Sequence, residues 1–214
     1  MSISNLISNL FSPRVVTTVN SRFSGQIRVM QTGGQKYIAT GVLTQSGGLV
    51  ADVWRPVIKS LSKTYNLKPR TCLILGLAGG TVAGIISKAF PGIRIVGVEI
   101  DPVMIDLGKK YLGLDQIPNL EIIKADANSY IRNLNLNFDF VLVDLYLGDQ
   151  IPQFVYSEKF LGQLGQLGKL VVINHLFYDP PKRQTAEELV KKLGKIFPSV
   201  RLHRVLTNLL IICE

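Results

Sequence analysis

Cysteine and histidine are scarce in this sequence of 214 residues, which has two of each. Neither Cys72 nor Cys213 has a partner at metal-ligand spacing, so the sequence predicts no metal site. Each cysteine lies inside an apolar, strand-like run, and we expect two buried free thiols rather than a disulfide. Free thiols suit a reducing compartment, and the sequence therefore predicts a cytoplasmic protein.

Long apolar runs and runs of one charge are also missing. No apolar stretch reaches the ~20 residues that a membrane-spanning helix needs, and the first residues lack the basic start of a signal peptide. The net charge is +9, but the basic residues are scattered along the chain. A solvated basic surface is expected in preference to a nucleic-acid face, so neither nucleic acid nor a membrane is expected as a partner.

Alternating strands and helices fill the chain from Thr71 onward. The strands are continuous apolar runs, which is typical of strands buried on both faces of a parallel sheet. The last two follow one another so closely that they must pair antiparallel. A mostly parallel seven-stranded sheet with a terminal antiparallel hairpin predicts an α/β, Rossmann-like methyltransferase fold rather than a dehydrogenase. The predicted strands cover 71–75, 94–99, 120–125, 138–144, 169–174, 201–206 and 208–213; the predicted helices cover 80–90, 102–112, 127–133, 157–167 and 183–197.

The chain before this pattern is predicted to form a small β-segment. Strand-like runs at 26–30 and 37–43 flank a turn at Thr32-Gly33-Gly34, and a loop at 45–48 leads to a helix over 51–65. We therefore divide the chain into an N-terminal β-segment, residues 1–49, and a methyltransferase-like domain, residues 50–214.

A turn of small residues after the first strand of the domain is the main functional motif. Gly76-Leu77-Ala78-Gly79-Gly80 joins a buried strand to a helix, and small side chains let a nucleotide approach the backbone there. Glu99 follows Gly76 by 23 positions, at the tip of the second strand, where it can accept hydrogen bonds from ribose hydroxyls. The alternative is a structural role, in which Glu99 lies next to the N-cap of the helix that begins at Pro102 and contacts no ligand.

Acidic residues also end the third and fourth strands. Asp126 can accept a hydrogen bond from an adenine amino group, cap the following helix, or do both. Asp144 follows the fourth strand. Because ligands of open α/β sheets bind beyond the carboxyl ends of the strands, Gly76, Glu99, Asp126 and Asp144 are predicted to surround an adenosyl nucleotide at one edge.

These residues, with the β-segment leading to Gln45, resemble the spermidine synthase-like family of the class I S-adenosylmethionine-dependent methyltransferase superfamily over nearly the whole chain. The resemblance implies a transferase that uses S-adenosylmethionine or its decarboxylated form, and a homodimer paired through the N-terminal strands. It implies that Gln45 touches the nucleoside, that Ile100 covers the adenine, and that Asp144 deprotonates an attacking amine. The nucleotide-binding set expected from it is Gln45, Gly76, Ala78, Gly80, Glu99, Ile100, Asp126 and Ala127.

The sequence departs from that family where a diamine would bind. The turn position at which the family carries an aspartate for the aminopropyl ammonium is read here as Gly79. In the fourth-strand motif Asp-x-x-Asp, Leu147 takes the second place and the next acid is Asp149. The Tyr-His pair of the family corresponds to Val53-Trp54 or Trp54-Arg55. Because a dication needs several carboxylates, we expect methyl transfer to a small-molecule acceptor that the sequence does not identify.

Two alternatives stay open: a polyamine aminopropyltransferase, and a non-catalytic nucleotide-binding module of the same fold. Tyr146, Asp149 and His175 are the candidates for the acceptor site, although a structural role fits His175 equally well. Asp179-Pro180-Pro181 is similar to the Asp-Pro-Pro-Tyr motif of amino-methyltransferases, but Lys182 replaces the aromatic residue. We therefore interpret that stretch as a turn.

Overall fold

The computed structural model describes residues 12–64 and 68–214, which form a four-stranded and a seven-stranded sheet. The end of the helix predicted over 51–65 and the first eleven residues of the β-segment lie outside the described residues. Helices and strands alternate after the small sheet, as predicted. Within the described part of the chain, no helix is long and apolar enough to cross a membrane.

The elements are β1 (Arg14–Ser21), β2 (Gly25–Thr32), β3 (Gln35–Thr40), β4 (Leu43–Ser46), α1 (Gly48–Thr64), β5 (Thr71–Leu75), α2 (Thr81–Ala89), β6 (Arg94–Glu99), α3 (Pro102–Leu112), β7 (Leu120–Lys124), α4 (Ala127–Arg132), β8 (Phe138–Val143), α5 (Glu158–Leu167), β9 (Gly168–Leu176), α6 (Pro180–Leu193), β10 (Val200–Val205) and β11 (Asn208–Cys213). Short 3₁₀ turns lie at Leu114–Gln116 and Gln153–Tyr156.

The small sheet is a consecutive antiparallel meander of β1 to β4. Its buried side chains, Ile27, Val29 and Ile38, pack against Met104 and Leu107 of α3. The N-terminal β-segment is therefore confirmed, and it rests on the helix that follows the tip of β6. Its pairing across a homodimer and the division of the chain at residue 49 stay predictions.

The large sheet has the strand order β10-β11-β9-β8-β5-β6-β7. Strands β5 to β9 pair in parallel, whereas β11 runs antiparallel to both β9 and β10. The predicted fold is confirmed, including the antiparallel hairpin at one end. All six residues of β11 are buried because this strand lies between two others rather than at the edge.

Each face of the large sheet has its own apolar layer. Leu73 and Leu75 of β5 belong to one layer, and Cys72 and Ile74 belong to the other, because successive side chains of a strand point to opposite faces. Both cysteines are buried free thiols, as predicted, and burial raises the pKa of each thiol. The continuous apolar strands thus have the two-sided burial that their sequence indicated.

Several boundaries differ from the sequence interpretation, and the predicted strand 37–43 proves to span the end of β3 and the start of β4. The stretch 179–181 is the start of α6 rather than a turn: the Asp179 carboxylate caps the helix by accepting from the Lys182 backbone N–H at 2.8 Å. Pro180 stands at the first helical position, where a missing N–H is harmless. Residues 45 and 46 belong to β4 rather than to a loop, and α1 begins at Gly48, three residues before the predicted start.

Candidate nucleotide and acceptor site

Two adjoining cavities lie beyond the carboxyl ends of the central strands. The first, here the acidic cavity, has a volume of about 240 Å³ and is bordered by the tips of β6, β7 and β8. The second, here the apolar cavity, has about 290 Å³ and is bordered by β4, α1 and the β10–β11 turn. The residues common to both are Gln45, Gly76, Ala78, Asp144 and Tyr146.

The structure brings most of the predicted nucleotide-binding residues together around the acidic cavity. Its lining includes Gln45, Gly76, Ala78, Glu99, Ile100, Asp126 and Ala127. Gly80 lies outside it: this residue has a φ of +88°, and a Cβ there would overlap the side chain of Leu114. Glycine is therefore required at position 80 by the packing of Leu114 and by the left-handed backbone. The roles of the lining residues toward a nucleotide stay predictions.

Glu99 joins the glycine turn to the tip of β6. Its Oε2 accepts from the Ala78 backbone N–H at 2.8 Å, and its Oε1 accepts from the Asp101 backbone N–H at 2.9 Å. Burial raises the pKa of the Glu99 carboxyl, and these backbone hydrogen bonds partly oppose the shift. Asp101, rather than Glu99, caps α3 by accepting from Val103 N–H at 3.0 Å.

The turn lines both cavities at Gly76 and Ala78. Gly76 has a φ of +91°, and a Cβ there would overlap the backbone oxygen of Asp144, so only glycine fits. Ala78 has a φ of +47°, which is uncommon for a residue with a side chain, and its N–H is held by Glu99. This restraint fixes the shape of the turn before any ligand binds.

Gly79 does not line either cavity. A Cβ on it would lie 2.9 Å from the side chains of Ile38, Ser46 and Leu112, so this position faces the small sheet and α3. The assignment of the family's acidic turn position to Gly79 stays a prediction. Ala78 is the neighbouring turn residue that lines both cavities, and it also lacks a carboxylate.

Asp126 and Ser24 contribute further oxygen atoms to the acidic cavity. The Asp126 Oδ1 caps α4 by accepting from Ser129 N–H at 2.8 Å, as one of its predicted roles requires. Ser24 donates from Oγ to Asp101 Oδ2 at 2.6 Å and also borders the cavity. Sequence reasoning missed Ser24 because it lies in the turn between β1 and β2, far from the strand-tip motif.

Asp144 lies at the boundary of the two cavities and is held by neutral donors. Trp54 Nε1 donates to its Oδ2 at 2.9 Å, and Asn174 Nδ2 donates to its Oδ1 at 2.8 Å. Asn208 Nδ2 donates in turn to Asn174 Oδ1 at 2.9 Å. Burial raises the pKa of the Asp144 carboxyl, while the Asn174 and Trp54 hydrogen bonds act in the opposite direction. The carboxylate is therefore held in one orientation without a cationic partner among these contacts.

Of the three acceptor-site candidates, only Tyr146 lies beside Asp144; its hydroxyl donates to the Asn174 carbonyl at 3.0 Å. Asp149 and His175 line a separate small cavity. Asp149 pairs with Lys182 at 3.2 Å, which lowers its carboxyl pKa. The His175 Nε2 lies 2.9 Å from the Tyr156 hydroxyl, and burial lowers the pKa of the imidazole.

Two further observations concern charge near the site. Arg55, which the sequence places next to Trp54, is exposed and is absent from the residues described as lining either cavity. Across residues 12–64 and 68–214, no group of three or more His, Cys, Asp or Glu side chains is placed to hold a metal ion.

The chain is similar to two kinds of curated protein. It is 33% identical over 106 residues to the polyamine aminopropyltransferase of Vibrio vulnificus, a match covering 48% of this chain and 36% of that protein. It is 31% identical over 140 residues to the eEF1A lysine and N-terminal methyltransferase homolog of Drosophila melanogaster, covering 60% of this chain and 20% of that protein. The chain thus spans well under two thirds of either relative. No family model matches the chain.

Solved structures with a similar fold include spermidine synthases and methyltransferases. Spermidine synthase from Thermotoga maritima superposes with a TM-score of 0.71 at 18% identity, covering 94% of this chain and 72% of the other. The fold is that of the class I S-adenosylmethionine-dependent transferases. Human methyltransferase-like protein 13, solved with SAH, has a TM-score of 0.60 at 21% identity, and the match covers 77% of this chain and 79% of the other. The predicted resemblance to the spermidine synthase-like branch of this superfamily is confirmed.

Proposed function

We propose that this chain binds S-adenosylmethionine in the acidic cavity and transfers its methyl group to an amine in the apolar cavity. The observation that carries the proposal is the common border of the two cavities, where Gly76, Ala78, Asp144 and Tyr146 face both. A donor nucleotide on one side and an acceptor on the other would meet there. Both groups of relatives are named for transfer to amines, either polyamines or a lysine and an N-terminus.

In this proposal the acidic cavity recognises the nucleoside. Glu99 accepts hydrogen bonds from the ribose hydroxyls with the lone pairs that Ala78 and Asp101 leave free. Ile100 covers one adenine face, and Asp126 accepts from the adenine amino group with the oxygen that does not cap α4. Gln45 contacts the nucleoside from the side of the small sheet.

For methyl transfer the protein has to position the acceptor in line with the sulfonium and to supply a base. The sulfonium is already an activated donor, so in-line positioning of the acceptor supplies most of the rate enhancement. Asp144 accepts the proton that an amine must lose before it attacks. Its raised pKa suits that task, because a base with a pKa closer to the working pH holds the proton more firmly.

Aminopropyl transfer from decarboxylated S-adenosylmethionine is the second candidate, and one observation favours it. The described residues that line the acidic cavity include the acids Glu99, Asp126 and Asp144 but no Lys, Arg or His to pair with an α-carboxylate. The decarboxylated donor lacks that group. We keep methyl transfer first because Ala78 offers no carboxylate to the ammonium of an aminopropyl chain.

Calorimetry with S-adenosylmethionine, its decarboxylated form and NAD tests the proposal. We expect S-adenosylmethionine to bind and NAD not to bind. Binding of NAD alone would contradict the nucleotide assignment. Decarboxylated donor binding about tenfold tighter than S-adenosylmethionine, a difference of ~1.4 kcal/mol, would favour aminopropyl transfer. Nucleotide binding without transfer to any amine would favour a non-catalytic module.

A further inference from the structure

The apolar cavity holds a single acidic group. Asp144 is the one Asp, Glu, Lys, Arg or His among the described side chains that line it. Aliphatic residues make up much of the remaining wall: Leu43, Leu49, Val50, Val53, Leu77, Val82, Leu176 and Leu206. Leu49 and Leu206 are 60% and 58% exposed although they line the cavity, so they lie where it opens to solvent. A cavity with mostly aliphatic walls and a few polar groups is typical of a small-molecule binding site.

The charge of Asp144 is not balanced from within this site. Its hydrogen-bond donors, Trp54 and Asn174, are both neutral. A partly buried carboxylate is stabilised best by a cation with N–H groups to donate. The next acid along the chain, Asp149, cannot serve a second cation here, because it lies at another cavity and pairs with Lys182 at 3.2 Å.

We infer that the acceptor is an apolar monoamine: one amino group bound at Asp144 and a hydrocarbon body along the wall formed by Leu49, Val50 and Val53. This inference rests on the proposed transfer function and names its acceptor class. A diamine of the same length would place its second ammonium against leucine and valine side chains, and the described lining offers no second carboxylate to pair with it.

The transfer step follows from this placement. The ammonium of the bound amine gives one proton to the Asp144 carboxylate, which frees the nitrogen lone pair. That pair attacks the methyl carbon, and the carbon–sulfur bond breaks with its electrons remaining on sulfur. The products are an N-methylated ammonium, a neutral thioether and the proton held by Asp144, which is then released to water.

Binding of three six-carbon probes to the whole chain tests the acceptor class. Calorimetry would compare hexylamine, 1,6-diaminohexane and hexanol in the presence of S-adenosylhomocysteine. We expect hexylamine to bind about tenfold or more tightly than either of the others. Equal or tighter binding of the diamine overturns the inference. If hexylamine is preferred but no adenosyl nucleotide binds, the monoamine site stands and the proposed transfer function fails.

A matched pair of variants at Leu49 tests the wall independently of Asp144. Leu49 is exposed and lies in the first turn of α1, where an acidic side chain is favourable to the helix. Leu49→Glu should strengthen diamine binding about tenfold relative to hexylamine, whereas Leu49→Gln should not. Similar diamine affinities in both variants would contradict the assigned position of the hydrocarbon body.

Variants of two aspartates complete the test. Asp144→Asn should remove the preference for hexylamine over hexanol, whereas Asp106→Asn, an exposed position on α3, should leave it unchanged. Circular dichroism checks that both variants are folded. If Asp144→Asn is not folded, the comparison of Leu49→Glu with Leu49→Gln tests the acceptor class instead. Methyl transfer to a lysine-containing peptide without transfer to hexylamine would also overturn the inference, because the acceptor nitrogen would then belong to a protein.

Discussion

Replacing Trp54 with Phe should weaken the fold mainly through Asp144. Trp54 is fully buried, and its Nε1 donates to Asp144 Oδ2 at 2.9 Å. Loss of a hydrogen bond to a charged group costs ~1.5–3 kcal/mol, and the smaller ring leaves a gap worth ~1 kcal/mol more. We therefore expect Trp54→Phe to lower the free energy of unfolding, measured by urea denaturation, by about 3 kcal/mol.

A double-mutant cycle separates the hydrogen bond from the packing. Trp54→Phe, Asp144→Ala and the double variant should show a coupling energy of ~1.5–3 kcal/mol, because either single change removes the same interaction. The gap left by the smaller ring is present with or without Asp144 and cancels in the cycle. Additivity within ~0.5 kcal/mol would refute the reasoning, since Trp54 would then act by packing alone.

Three further predictions concern single positions. Glu99→Ala should weaken S-adenosylhomocysteine binding, measured by calorimetry, by ~1–3 kcal/mol because ribose hydrogen bonds are lost. The control Glu121→Ala, which removes an exposed ion pair with Arg94, should leave this binding unchanged. Equal losses of binding energy would count against the assigned role of Glu99. Burial raises the pKa of the Asp144 carboxyl above its ordinary value of 3.8. Between the unfolded and the folded pKa, the folded state therefore binds more protons than the unfolded state. The free energy of unfolding consequently falls as the pH rises through this range. Asp144→Asn should reduce this fall in pH-dependent urea unfolding, and an unchanged slope would speak against it. Gly76→Ala should lower the free energy of unfolding by ~3 kcal/mol or more, because the new Cβ would overlap the Asp144 backbone. Gly92→Ala should lower it by only ~1–2 kcal/mol, because Gly92 has open space around it and only its left-handed backbone is strained. Similar losses in the two variants would contradict this prediction.

The sequence predicted the large sheet well because its signals are local. Continuous apolar runs fixed β5 and β6 to the residue, and the short connection after β10 was sufficient to predict the antiparallel pair. The start of α6 was missed although its signal was available: an aspartate followed by proline is a favourable cap and first residue of a helix, not only a turn.

The site was predictable only where strand ends determine it. The carboxyl ends of parallel strands meet at one edge, and this rule was enough to place Glu99, Asp126 and Asp144 near one another. The donors that hold Asp144 were not predicted, since Trp54 is 90 positions away and no periodicity links such pairs. Likewise, which turn residue faces the cavity depends on backbone angles, which sequence spacing does not specify.

The position of β11 has a consequence for how the protein is made. This strand follows every other strand of the large sheet in sequence, yet it inserts between β9 and β10 and is buried along its whole length. We therefore expect the edge of β9 that pairs with β11 to stay unpaired during synthesis until β11 has left the ribosome, and an unpaired apolar edge is prone to pair with other chains. Because Thr207 and Asn208 line the apolar cavity, this cavity is completed at the same stage. Nascent chains stalled before β11 should consequently bind chaperones and have an incomplete apolar cavity.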